Sequence, residues 1–89
     1  MLEREITISN TLGLHARASA KLVQLLQEFK ANAVIVHRGR EVNAKSIMGV
    51  MMLAAGVGTP VVLRTEGADE EDAMNAMIAL FERKFDEGA

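Results

Sequence analysis

Apolar residues near the start of the chain alternate with polar ones. Leu2, Ile6 and Ile8 are interleaved with Glu3, Glu5 and Thr7. This period of two reads as a half-buried first strand. From Ala16 the spacing lengthens, and Ala18, Leu22, Leu25 and Phe29 fall on one face of a helix over Ala16–Phe29. Ser9 to Gly13 supplies the loop between them. A half-buried strand needs a cover and an amphipathic helix needs a surface to pack on, and the simplest answer to both is a sheet with helices on it.

The same alternation of patterns continues. Residues 32–37 are rich in Val and Ile and predict a second strand; Arg38-Gly39 is a hairpin turn into a third strand, Arg40 to Ala44. Ser46 reads as an N-cap for a short helix with Ile47, Val50, Met51 and Ala54 on one stripe. Gly49 weakens that helix by about 1 kcal/mol relative to Ala, and Gly56 and Gly58 end it. Pro60 fits only a strand's start or edge, after which Val61, Val62 and Leu63 carry a fourth strand toward Glu66. In the last helix Asp69 caps, Glu70, Glu71 and Asp72 fill the first turn, and Arg83 and Lys84 fill the last. Both ends suit the helix dipole. Met74, Met77, Ile78, Phe81 and Phe85 form the apolar face. The order is β-α-β-β-α-β-α, and its simplest packing is a two-layer sandwich. With 89 residues and no repeat, linker or low-complexity stretch, residues 1–89 read as a single domain.

Composition narrows the function. The chain has no Cys, which removes thiolate metal sites, thiol nucleophiles and disulfides. Aromatic residues make up 3% and the net charge is −2, so composition argues against base stacking and against bulk attraction to nucleic acid. The N-terminal MLEREITI carries acids where a secretory signal is basic, and the most apolar segment, Ile47 to Val57, is too short and Gly-interrupted to span a bilayer. A cytoplasmic location is expected. Two isolated histidines without acidic companions make no metal site, no Gly-rich phosphate loop is present, and no cofactor is expected.

The chemistry sits in NTLGLHARAS, residues 10–19. His15 stands where a loop becomes a helix. The first N–H groups of a helix have no intrahelical acceptor; here they belong to Ala16, Arg17 and Ala18. They attract an anion, and Arg17 adds a guanidinium fork suited to phosphate oxygens. An imidazole attacks phosphorus only when neutral, and an unperturbed His titrates at about 6.5. The helix start and Arg17 both favour the uncharged ring, and both favour the dianion it would receive. The small residues Gly13, Ala16, Ala18 and Ser19 are expected to leave room for a partner's active site. Taken alone, a His-Arg pair at a helix start is ordinary surface chemistry. His37, beside Arg38 at the end of a predicted strand, reads as a surface residue.

GLHARAS at 13–19 is followed by VNAKSIMGVMMLAAGVG at 42–58. These two motifs at this separation, and the length and element order, closely resemble the HPr family, the phosphocarriers of the bacterial phosphoenolpyruvate-dependent sugar phosphotransferase system. The resemblance implies an α+β open-faced sandwich, a four-stranded antiparallel sheet with three helices on one face. It implies that enzyme I phosphorylates His15 through Nδ1, with Arg17 as partner, and that the group passes on to IIA domains of sugar transporters. Such a protein is a carrier and co-substrate rather than a stand-alone catalyst. Many members have Pro where this chain has Ala18; Ala keeps an N–H that Pro lacks.

Ser46 matches the family's regulatory serine, the target of HPr kinase/phosphorylase in some bacteria. As residues, Ile47, Met48 and Met51 belong to a short helix too apolar to bury every side chain; in the family this helix meets enzyme I. They are expected to form an exposed docking patch, with Arg17, Lys45 and Lys21 as a basic rim. The chain is expected to act as a monomer, without nucleic acid and without membrane insertion. Two alternatives stand beside this reading: a carrier of the nitrogen-related or a purely regulatory phosphotransfer chain, and an interaction module that uses the Met-rich helix without carrying phosphate.

Overall fold

Strand order in the sheet departs from chain order. A computed structural model describes residues 1–87. Strands β1 (Leu2–Thr7), β2 (Asn32–His37), β3 (Arg40–Asn43) and β4 (Pro60–Glu66) form one antiparallel sheet ordered β1-β4-β2-β3. The last strand therefore lies between the first and the second. Helices α1 (Ala16–Leu26), α2 (Ile47–Met52) and α3 (Glu70–Glu82) follow β1, β3 and β4. The order is the β-α-β-β-α-β-α read from the sequence.

Alternation puts one face of the sheet under the helices. Val61, Leu63 and Thr65 of β4 and Ala33 and Ile35 of β2 are buried there, against Leu22 and Leu26 of α1 and Met74, Met77 and Phe81 of α3. Each fully buried Leu, Ile or Met contributes roughly 1.5–3 kcal/mol. On the outer face Arg64 reaches Glu3 (2.7 Å) on one side and Glu41 (3.0 Å) on the other. Arg38 (φ 51°) and Gly39 (φ 79°) are the whole loop between β2 and β3. Two left-handed residues make a type I′ turn, whose twist matches the strands it joins. Pro60 opens β4 opposite Thr7, the one position where an inner strand tolerates it.

Several boundaries differ from the sequence reading. Ile8 lies past the end of β1 but is buried, its N–H and C=O bonded to Thr59 and Gly58. Ala44 likewise lies past β3, its N–H still bonded to the Ala33 carbonyl. Helix α1 stops at Leu26, and Leu26 is buried where Leu25 and Phe29 are only half-buried. In α2 only Val50 is buried; Ile47 and Met51 face solvent, and Ala54 lies beyond the helix at φ 51°. The α2 stripe fails because a six-residue helix has room for one inward side chain. Asp69 does not cap α3. Its carboxylate accepts the N–H groups of Lys30 (2.8 Å) and Ala31 (2.7 Å), ahead of β2. Glu70 turns back instead and accepts from Gly67 N–H at 3.1 Å. Helix α3 ends at Glu82, so Arg83 and Lys84 fall outside its last turn, and Phe85 reaches the core by another route.

Candidate functional site

The loop before α1 is built on a close backbone approach. Gly13 sits at φ +64°, and a Cβ there would lie 2.5 Å from the Ala55 carbonyl oxygen and 2.7 Å from Gly56 Cα. Only Gly meets both demands. The next residue, Leu14, donates its N–H to that same Ala55 oxygen at 2.9 Å. Asn10, fully buried, donates through Nδ2 to the Gly13 carbonyl at 2.8 Å. Ala18 and Ser19 are buried too. Of the four small residues expected to clear space for a partner, only Ala16 is exposed; the other three are small because the interior packs against them.

His15 is the N-cap residue of α1, extended at φ −79° and ψ −178°, and its side chain makes no capping bond. Its own N–H is bonded to Gly13 O, and its carbonyl accepts the first helical bond, from Ser19 N–H. The N–H groups of Ala16, Arg17 and Ala18 have no acceptor among the described residues. The imidazole is about a quarter exposed and lies in a shallow cleft of about 820 Å³ with Leu12, Ala16, Arg17, Lys21 and Glu87. Arg17 is exposed and makes no ion pair among the described residues, so its guanidinium is free to turn toward an anion in the cleft. Lys21 and Lys45 are not the loose rim that the sequence suggested. Each is half-buried, Lys21 Nζ bonded to the Phe85 carbonyl (2.7 Å) and Lys45 Nζ to the Phe29 carbonyl (2.8 Å).

Two residues enter that sequence reading did not assign. After α3, Lys84, Phe85 and Asp86 hold φ of 55°, 54° and 61° in succession. Left-handed non-Gly residues cost roughly 1–2 kcal/mol each. The burial of Phe85, its ring edge-on to Phe81 at 4.8 Å, offsets part of this. The turn brings Glu87 back over the start of α1. Glu87 Oε2 lies 2.6 Å from His15 Nε2, and Oε1 accepts from Asn10 Nδ2 at 3.1 Å. Burial pushes the Glu87 carboxyl up, but the bonds from His15 and Asn10 and the nearby charges of His15 and Lys21 outweigh it and hold it below the usual range. The sequence reading surrounded the ring with positive groups only; a carboxylate is in fact its closest partner.

A profile described as the phosphorylation site of the HPr component of the phosphotransferase system matches residues 2–83. The chain belongs to the HPr family. The phosphocarrier protein HPr of Xylella fastidiosa (strain Temecula1) is 58% identical over 87 residues, 98% of each chain. The phosphocarrier protein NPr of Shewanella violacea is 44% identical over 88 residues, 99% of this chain and 97% of that one. Crystal structures of HPr from Thermoanaerobacter tengcongensis, at 45% identity, give a TM-score of 0.94 with 98% of each chain covered; one described as a dimer gives 0.76, covering 96% of this chain and 98% of that one.

As a member of the HPr family the chain is a phosphocarrier of the phosphotransferase system, with the α+β sandwich that the family shares. Its second motif forms α2 and the turn after it. Ser46 Oγ accepts from Gly49 N–H at 3.1 Å, the capping role read from sequence. A side chain at 49 would press on that oxygen at 3.3 Å, which is why a glycine in so short a helix is tolerable. Met48 and Met52 are 70% and 59% exposed, Ile47 and Met51 less so. The expected patch is therefore exposed, with Met52 a fourth member. His37 is half-buried, opposite Arg40 on β3, rather than fully on the surface.

Proposed function

We propose that this HPr-family chain accepts a phosphoryl group from enzyme I on His15 and passes it to a IIA domain of a sugar transporter. The observation that carries the reading is the placement of one ring. His15 stands at the start of α1, part-exposed in a cleft, beside three N–H groups and the Arg17 guanidinium, none of which has an acceptor among the described residues. Its Nε2 is engaged by Glu87, which leaves Nδ1 as the nucleophile. The lone pair of Nδ1 takes the phosphorus while the donor's bond to phosphorus breaks toward the donor. The amides of Ala16, Arg17 and Ala18 and the Arg17 side chain meet the incoming negative oxygens. Ile47, Met48 and Met51 dock the partner, and flexible Met side chains suit a surface that fits several partners in turn. In this reading the carrier acts as a monomer in the cytoplasm.

The test is incubation with phosphoenolpyruvate, Mg²⁺ and enzyme I. An acid-labile, alkali-stable phosphate is expected on the wild type and none on His15→Ala; full labelling of that variant ends the reading. Ser46 is a second, regulatory phosphorylation site in this proposal. A phosphate adds about −2 charge at the start of α2, next in sequence to the residues that dock the partner. Incubation with ATP and an HPr kinase should label the wild type and not Ser46→Ala.

The likeness to an NPr favours one other reading, a carrier of the nitrogen-related chain. Labelling rates with each type of enzyme I at equal concentration separate the two.

A further inference from the structure

We propose that Glu87 is a positioning residue for phosphoryl transfer: it sets which nitrogen of His15 is the nucleophile and balances the charge the ring acquires. The inference rests on the reading of His15 as the phosphoryl acceptor and adds a device to that site.

The geometry is specific. Oε2 of Glu87 lies 2.6 Å from Nε2, close enough for a charge-assisted hydrogen bond. A carboxylate only accepts, so Nε2 carries the proton and Nδ1 keeps its lone pair. Turning the ring over would put Cε1 where Nε2 stands and lose this bond. The carboxylate is itself fixed. Asn10 holds its other oxygen at 3.1 Å, and Asn10 is fully buried and anchored on the Gly13 carbonyl. Lys21 holds the chain two residues earlier through the Phe85 carbonyl at 2.7 Å. Three successive left-handed residues deliver Glu87 to this position, backbone strain of the kind found at functional sites. Asn10 Oδ1 is also buried without a partner among the described residues, a further expense at the same spot.

The transfer step follows. The Nδ1 lone pair forms the new N–P bond, and the donor keeps the electron pair of the bond that breaks. No proton leaves Nε2, so the ring turns from neutral imidazole into a phosphorylated imidazolium. The Glu87 carboxylate faces the N–H end of that cation, away from the phosphoryl group on Nδ1. It therefore stabilises the product ring without crowding the dianion.

Uniformly ¹⁵N-labelled protein tests this at about pH 8, above the range where an imidazole ordinarily titrates. The wild type should show a downfield, slowly exchanging proton on His15 Nε2 and an unprotonated Nδ1. Glu87→Ala should lose the protected proton and accept phosphoryl with kcat lower by about ten-fold and KM changed by less than about two-fold. Glu87→Gln, whose amide oxygen still accepts from Nε2, should keep the proton signal and recover part of the rate. A Glu87→Ala protein with wild-type kcat, or with the protected proton intact, overturns the proposal while the carrier reading stands. A wild type that shows the proton but takes no phosphoryl group from any enzyme I overturns the carrier reading, and this proposal with it.

Discussion

Lys21 Nζ donates to the backbone carbonyl of Phe85 at 2.7 Å, so a side chain on the second turn of α1 holds the segment that follows α3. Phe85 is fully buried and edge-on to Phe81, and its own backbone is left-handed. Phe85→Ala should lower stability by about 3–5 kcal/mol in urea unfolding, as large core truncations do. Lys21→Met should remove about 1 kcal/mol and raise hydrogen exchange at residues 84–87 while α3 stays protected. Equal exchange in both proteins would show that the turn holds itself.

Arg17 is exposed and bears no structural bond among the described residues. Arg17→Ala should leave stability within about 0.5 kcal/mol and slow phosphoryl acceptance by about a hundred-fold, the usual effect of removing one donor from a developing negative charge. Single-turnover labelling reads this out. Wild-type rates would remove Arg17 from the mechanism.

Gly13→Ala asks for two impossible things: a left-handed Ala and a Cβ 2.5 Å from the Ala55 oxygen. The loop must shift, and with it the carbonyl that anchors Asn10. A loss of about 2–3 kcal/mol is expected, together with slower labelling of His15. A thermal melt indistinguishable from wild type would mean that the loop and the Ala55–Gly56 segment can separate freely.

Asp69 gives the fold an acid limit. The N–H of Lys30 holds its carboxyl below the usual range; partial burial opposes this, and the N–H of Ala31 adds to it. Its folded pKa therefore lies below its unfolded value of about 3.9. The stabilisation is complete above that value and is lost as pH falls through the folded pKa. Urea midpoints should fall in wild type below about pH 4. Asp69→Asn should be less stable than wild type at neutral pH and flatter on the acid side. An identical acid profile in the two proteins would place the limit elsewhere, Glu70 being the next candidate because the N–H of Gly67 lowers it too.

What could be read from the sequence was local. The alternation at Leu2 to Ile8, the Arg38-Gly39 turn, the Ser46 cap and the helix beginning after His15 each depend on neighbours a few residues apart. The exposure of the α2 side chains was legible for the same reason, since a short helix cannot hide four large apolar residues. The errors lie where a side chain serves a distant element. Asp69 sits where a cap belongs but bonds the chain ahead of β2, 38 and 39 residues away. Lys21 and Lys45 resemble free surface charges until the carbonyls they meet are known. Glu87 was invisible: it reaches His15 across 72 residues, through a run of left-handed Lys, Phe and Asp that backbone preference argues against. A fixed loop and a buried asparagine settle its place, and neither leaves a pattern in the residues beside it.

Arg64 ties β4 to Glu3 on one flank and to Glu41 on the other, on the side of the sheet that no described helix covers. Exposed ion pairs of this kind add little to stability, about 0–1 kcal/mol. Their setting matters for handling the protein. A fluorophore or tether attached at Glu41 would stand behind the sheet, clear of the imidazole and of the methionines of α2. Immobilised that way, the protein would leave the cleft at His15 and the exposed face of α2 open to any partner in solution.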